Sequence, residues 1–170
     1  MSIKPRTPVP ALTLPIVGGG QFALAQSVPE TFTLLVVYRG LHCPICKTYL
    51  RDLDRKLGEF EALGVKSIAV STDTQERAEQ SKTEWGIEHL PMAYAFGIEE
   101  ARRWGLFISA GIKDSEPAHF AEPGLFLIKP DHTLYAASIQ TMPFARPLFS
   151  DILTAVKFVS ENNYTARGEA

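Results

Sequence analysis

Cysteine is scarce in this sequence: there are two among 170 residues, Cys43 and Cys46. They cannot complete a structural zinc centre, which needs four ligands, because no second Cys-x-x-Cys exists. Histidine is also sparse, and His42, His89, His119 and His132 show no ligand spacing. No metal and no cofactor are therefore expected. Long apolar runs are missing too. Residues 1–14 carry Lys4 and Arg6, but Pro5, Pro8, Pro10 and Pro15 interrupt the stretch, so neither a signal peptide nor a membrane span is predicted. A cytoplasmic location follows as an expectation, and in that compartment two cysteines are better read as catalytic than as structural. Charge of one sign is absent as well. Seventeen Lys and Arg face nineteen Asp and Glu, for a net charge of −2, and the two signs are interleaved. That excludes a nucleic-acid footprint. There is no internal repeat and no low-complexity tract.

What is present converges on Tyr38-Arg39-Gly40-Leu41-His42-Cys43-Pro44-Ile45-Cys46-Lys47. An apolar run leads into this stretch and a helical pattern leads out of it. A strand that delivers Cys-x-x-Cys to the first turn of a helix is an arrangement for thiol–disulfide chemistry. A free thiol has a pKa near ~8.5. Unpaired N–H groups at a helix start carry roughly half a positive charge. Lowering the pKa to about 7 takes ~2 kcal/mol. Pro44 suits the first helical position, where a missing N–H costs nothing. Two inert core thiols are the other reading of the pair.

The remaining chain reads as alternating elements. Residues 9–15 suggest an edge strand, Gly18-Gly19-Gly20 a turn, and residues 21–24 a hairpin partner. Residues 32–38 are predicted to be a central buried strand. The following helix aligns Cys46, Leu50, Leu53, Leu57 and Phe60 on one stripe and ends at Gly64. Residues 65–70 form the next strand, parallel to the first because a helix crosses over between them. Ser71-Thr72-Asp73 offers cap chemistry for a helix over 75–85. Residues 91–96 read as extended, 99–104 as a short helix, and 106–120 as irregular. Strands at 124–129 and 134–139 flank a turn, and 147–159 has helical spacing. The order is β-β-α-β-α-β-α-β-β-α: an α/β fold with a mixed central sheet flanked by helices. One domain over 1–160 is expected, with a loosely held polar tail at 161–170.

The chain resembles the peroxiredoxin-like (AhpC/TSA) branch of the thioredoxin superfamily over nearly its whole length. The phrases that carry the resemblance are Leu35-Val36-Val37-Tyr38, Ala69-Val70-Ser71-Thr72-Asp73, Gly124-Leu125-Phe126-Leu127-Ile128 and Met142-Pro143-Phe144-Ala145-Arg146. It implies a thioredoxin-like fold with an N-terminal β extension. The departures are equally specific. Of the family's Pro-x-x-x-Thr-x-x-Cys motif, the attacking cysteine falls on Cys46, the threonine on Cys43 and the proline on Arg39. The arginine that the family uses to hold peroxide falls near Pro123. Pro123 instead resembles the cis-proline facing Cys-x-x-Cys in thioredoxins, and an ordinary strand-start proline is the competing description.

Three functions are carried forward. The leading expectation is a thiol–disulfide oxidoreductase in which Cys43, exposed at the helix start, attacks as thiolate and Cys46 resolves the mixed disulfide. The second is a peroxidase acting on hydrogen peroxide or an alkyl hydroperoxide, in which the attacker is Cys46 by alignment and Cys43 by exposure. The third is a non-catalytic redox-sensing or partner-binding module. Pro123, Arg39, His42 and Tyr38 are the expected supporting residues, and Arg146 is placed near the active face if the fold is right. Partners implied are a disulfide or peroxide substrate, a protein or small thiol reductant and, from the resemblance, a second copy of the chain.

Overall fold

In the computed structural model, which describes residues 3–170, nine strands and four α-helices are arranged around one five-stranded sheet. The chain begins with β1 (Thr13–Pro15) and β2 (Gln21–Ala23), an antiparallel pair. Gly18, Gly19 and Gly20 turn between them, all at positive φ. β3 (Phe32–Val37) is buried at every position, which is why it reads as a continuous apolar run. α1 (Pro44–Ala62) follows the Cys-x-x-Cys and buries the expected stripe of Cys46, Leu50, Leu53, Leu57 and Phe60. Gly64, at φ +76°, ends that segment and turns the chain directly into β4 (Val65–Val70). β4 lies parallel to β3, with Val37 beside Val70.

α2 (Gln75–Glu84) is capped by the Thr74 hydroxyl, which accepts from the Arg77 N–H; the preceding Asp73 is spent elsewhere, as described below. β5 (Met92–Ala93) adds only two residues to the far side of β4. After α3 (Ile98–Arg103), the segment expected to be irregular contains a ribbon, β6 (Ile108–Ala110) paired with β7 (His119–Ala121). β8 (Gly124–Ile128) runs antiparallel to β3, and β9 (Leu134–Ile139) antiparallel to β8. The main sheet is ordered β5-β4-β3-β8-β9.

α4 (Phe149–Asn162) and α1 cover one face, where Leu34, Val36, Leu50, Leu53, Phe60 and Phe149 pack together. Trp104, Phe126, Leu35, Val37 and Leu14 fill the other face beneath α3 and the N-terminal hairpin. Burying each such side chain stabilises the fold by about 1.5–3 kcal/mol. The tail is held more firmly than its polarity suggested. Ala166 is buried, its carbonyl accepts from Arg6 Nε, the Tyr164 carbonyl accepts from the Tyr135 hydroxyl, and Glu169 pairs with Arg6. Its contacts are made by residues distant in sequence, so local polarity could not reveal them.

Candidate active site

Parallel pairing brings the C-terminal ends of β3 and β4 side by side, and the loop after β3 carries the chain into α1. Cys43 is the N-cap of α1, Pro44 its first residue and Cys46 its third. The Cys46 N–H donates to Cys43 Sγ at 3.2 Å, so one of the helix's free N–H groups is satisfied by sulfur. Both cysteines are reduced, and both are buried: Cys43 is 2 % exposed and Cys46 0 %. This corrects the expectation of an outer, exposed Cys43. The two residues share one packed cluster.

The inner sulfur has the lowered pKa. Burial pushes the Cys46 thiol up, but the Cys43 S–H, the Arg146 guanidinium and the Arg39 backbone N–H stabilise its thiolate and bring it down to about 7. Arg146 Nη2 lies 3.5 Å from Cys46 Sγ. The Cys43 thiol goes the other way. Its hydrogen bond to Cys46, its burial and the neighbouring thiolate all raise its pKa. Cys46 is therefore the more acidic thiol of the pair and Cys43 the less acidic, the reverse of what a helix start predicts when sequence position alone is considered.

Arg146 is 100 positions from Cys46, in the loop between β9 and α4. Ala145, at φ +57°, turns that loop so that the guanidinium points inward. It lies 4.4 Å above the Tyr49 ring, and the Tyr49 hydroxyl donates to the Pro147 carbonyl at 2.6 Å. One guanidinium nitrogen, Nη1, is buried without a partner among the described residues. A cleft of about 10 Å³, lined by Tyr49, Pro123, Gln140 and Arg146, adjoins it. A space of that size admits about one water-sized molecule.

The other residues expected at the site divide. Arg39 donates from Nε and Nη2 to the two oxygens of Glu122, at 2.9 and 2.8 Å, and its guanidinium lies over the Phe120 ring. Glu122 is 2 % exposed and also accepts from the Ser109 hydroxyl. Arg39 is thus neutralised, and what it brings to the site is its backbone N–H. His42 packs on Phe120 with ring centroids 4.6 Å apart, and neither ring nitrogen has a partner among the described residues. Burial lowers its pKa, so it is neutral at pH 7. It is held against Phe120 rather than standing free in solvent. Tyr38 lines no cleft; it is fully buried, edge-on to Trp85, and its hydroxyl pKa is raised first of all by burial. Pro123 lines the small cleft, but its peptide bond is trans: no cis bond occurs among the described residues. The thioredoxin-like cis-proline is therefore not found.

Asp73, which sequence reasoning used only as cap chemistry, fixes the loop. Its carboxylate accepts from the Leu41 N–H at 2.8 Å and from Arg77 Nε at 3.1 Å. Gly40 passes so close, at φ +132°, that a Cβ there would stand 2.7 Å from the carboxylate oxygens. No group of three or more metal-ligating side chains occurs among the described residues, and no helix there is long and apolar enough to cross a membrane.

Comparison with known proteins agrees with this architecture. The AhpC/TSA family model matches residues 5–137. No curated protein matches the chain. Among solved structures, peroxiredoxin 6 of Arenicola marina, as a cysteine-to-serine mutant, superposes with a TM-score of 0.78 at 20 % identity, covering 95 % of this chain and 76 % of that one. AhpC of Enterococcus faecalis gives 0.76 at 16 % identity, covering 98 % and 99 %. Peroxiredoxin Q of Xanthomonas campestris gives 0.67 at 22 % identity, covering 86 % and 90 %. At such identities the likeness is one of fold.

Proposed function

Because the chain belongs to the AhpC/TSA family, a family of thiol-dependent oxidoreductases with a thioredoxin-like fold, we propose that its dithiol reduces peroxides, with Cys46 as the attacking sulfur and Cys43 as the resolving one. The observation that carries this reading is the pairing of a buried Cys46 thiolate with the Arg146 guanidinium 3.5 Å away. Cys46 attacks the terminal oxygen of ROOH, forming an S–O bond as the O–O bond breaks. The leaving RO⁻ takes a proton to become ROH. Arg146 holds positive charge where the leaving oxygen gains negative charge. Cys43 then attacks the sulfenic sulfur, the S–O bond breaks, and the S–H proton leaves with the hydroxyl as water. Two equivalents of an external thiol reduce the Cys43–Cys46 disulfide and become a disulfide themselves. The two cysteines, N-cap and third residue of one helix, are spaced to close this ring with little movement of the helix.

The Arg146 guanidinium favours this reading over a thiol–disulfide oxidoreductase, the leading expectation from sequence, because it stands beside the Cys46 sulfur where a leaving oxygen would gain charge. Access does not separate the two, since the external thiol that reduces the Cys43–Cys46 disulfide must also reach a residue at most 2 % exposed.

The test is stopped-flow mixing of the reduced protein with hydrogen peroxide. Wild type is expected to lose two thiols per peroxide. Cys46→Ser should lose the reaction, and Cys43→Ser should stop at a sulfenic acid on Cys46 that dimedone traps. A rate no faster than a free thiol's, with rapid reduction of a protein disulfide, would reverse the assignment in favour of disulfide exchange.

A further inference from the structure

On the side of the sheet away from the cysteines, β5 is too short to cover β4. It pairs only with Ala69 and Val70. The N–H groups of Ala69 and Ser71 donate to Pro91 and Ala93, so odd-numbered residues of β4 turn their backbone toward that edge. Ser67 therefore turns its N–H and C=O to the same edge; the C=O faces Pro91, which has no N–H to give, and the N–H has no partner among the described residues. Its hydroxyl is buried and unpartnered. The free N–H and the hydroxyl are the polar groups left for a partner.

The place they face is a groove of about 440 Å³, within the range of ligand sites. It straddles the strand edge. Leu57 and Glu61 of α1 form one wall, and Ile16, Phe22 and Ile68 the other. His89 and Pro91, on the chain leading into β5, also line it. Asp54 on α1 accepts from the N–H groups of Glu88, His89 and Leu90, fixing that segment before it enters β5.

We infer that this groove is a docking site for an extended peptide segment of another protein, which adds to the free edge of β4 in line with β5 and accepts from the Ser67 N–H. Edge addition takes its affinity from main-chain bonds and its specificity from alternate side chains. The charges set the sequence. α1 runs antiparallel to β4, so Glu61 lies at the start of β4 on the helix wall, and Lys66 lies there on the hairpin wall. A segment parallel to β4 then needs a basic residue facing Glu61 and an acidic one facing Lys66. Two apolar residues follow, one against Leu57 and one against Phe22 and Ile68. Lys-Glu-Val-Ile meets this pattern.

The probe is acetyl-Lys-Glu-Val-Ile-amide, titrated into the full-length protein and followed by amide chemical shifts and hydrogen exchange. Shifts are expected at Phe22, Ser67 and Ile68. At peptide ten times its Kd, exchange of the Ser67 N–H should slow about tenfold. Exchanging the charges, as Glu-Lys-Val-Ile, should weaken binding about two- to tenfold. Glu61→Lys, a surface change, should lose its preference for Lys-Glu-Val-Ile over Glu-Glu-Val-Ile. Absence of any shift at these three residues up to about 10 mM peptide, or binding centred elsewhere, overturns the proposal. So does Ser67 protection that rises with protein concentration without peptide, which would make a second copy the occupant.

Discussion

Replacing Arg146 by glutamine removes the one charge that touches the reactive sulfur, and its effect can be worked out in advance. At about 4 Å, two unit charges interact by ~1 kcal/mol in water and ~4 kcal/mol at an effective dielectric constant of 20. Cys46 is buried but Arg146 is partly solvated, so the value lies between these limits. Divided by about 1.4 kcal/mol per pH unit, it raises the Cys46 pKa by roughly 1 to 3 units. From a starting value of about 7, half of the wild-type sulfur is thiolate at pH 7. In Arg146→Gln the thiolate fraction falls to about a tenth or less. Alkylation by iodoacetamide at pH 7 should slow at least fivefold, roughly in proportion to that fraction. The pH profile should shift upward by the same interval. Near pH 10 the alkylation rates of the two proteins should approach one another. Their peroxide rates should stay apart, because the guanidinium also meets the leaving oxygen. An Arg146→Gln thiol that titrates within half a unit of wild type would refute the electrostatic argument. Equal peroxide rates at high pH would refute the second role.

Other perturbations test the same network. In the reduced protein, Cys46 has a folded pKa of about 7 against an ordinary 9.0, so its contribution to stability should grow as pH rises from 7 to 9. Cys43, whose folded pKa is raised, contributes a loss as pH climbs beyond 9.0. Denaturant midpoints of reduced wild type should thus pass through a maximum near pH 9 that is absent from Cys46→Ser; a flat profile would remove the coupled pair. Glu122→Gln should cost about 2–3 kcal/mol in urea unfolding, below the ~3–5 kcal/mol of a fully enclosed pair because Arg39 can turn to water. An unchanged midpoint would show that the pair adds nothing. Cys43→Thr keeps a donor for the Cys46 thiolate and Cys43→Ala does not, so only the alanine variant should raise the Cys46 pKa, by about one unit. The same value in both would deny the hydrogen bond.

The scaffold was legible because its signals are local. A buried run at Phe32–Val37, an apolar stripe from Cys46 to Phe60 and a left-handed glycine at Gly64 each specify an element with little outside help. The ribbon at residues 108–121 gave no such signal. Its strands are three residues long, and Ser109 is held by Glu122 from farther along the chain. The electrostatics of the thiols were misread for the same reason. The Cys-Pro-x-Cys pattern describes the helix start, whereas the exposure of Cys43 depends on distant residues. Phe120 packs on His42, and Asp73 and Glu122 clamp the loop between β3 and α1. The charge on Cys46 depends on Arg146, which no spacing rule connects to position 46.

The departures from the family motif become intelligible once these contacts are in place. By the resemblance, the family's threonine position is occupied by Cys43, which lies beside Cys46 and helps to lower the pKa of its thiol. A thiol at that position keeps a donor and adds the ability to close a disulfide within a single helical turn. The proline and arginine of the motif exchange sides, as Arg39 and Pro123. The exchange is not neutral in effect, because Arg39 spends its charge on Glu122. Positive charge at the sulfur therefore has to come from a third element, and the loop before α4 supplies it through Arg146. Thiolate stabilisation is thus shared between Cys43 and Arg146, whereas disulfide closure needs Cys43 alone. The first can be weakened by substitution at Arg146 while the second persists, which is the separation that the Arg146→Gln and Cys43→Thr measurements are placed to detect.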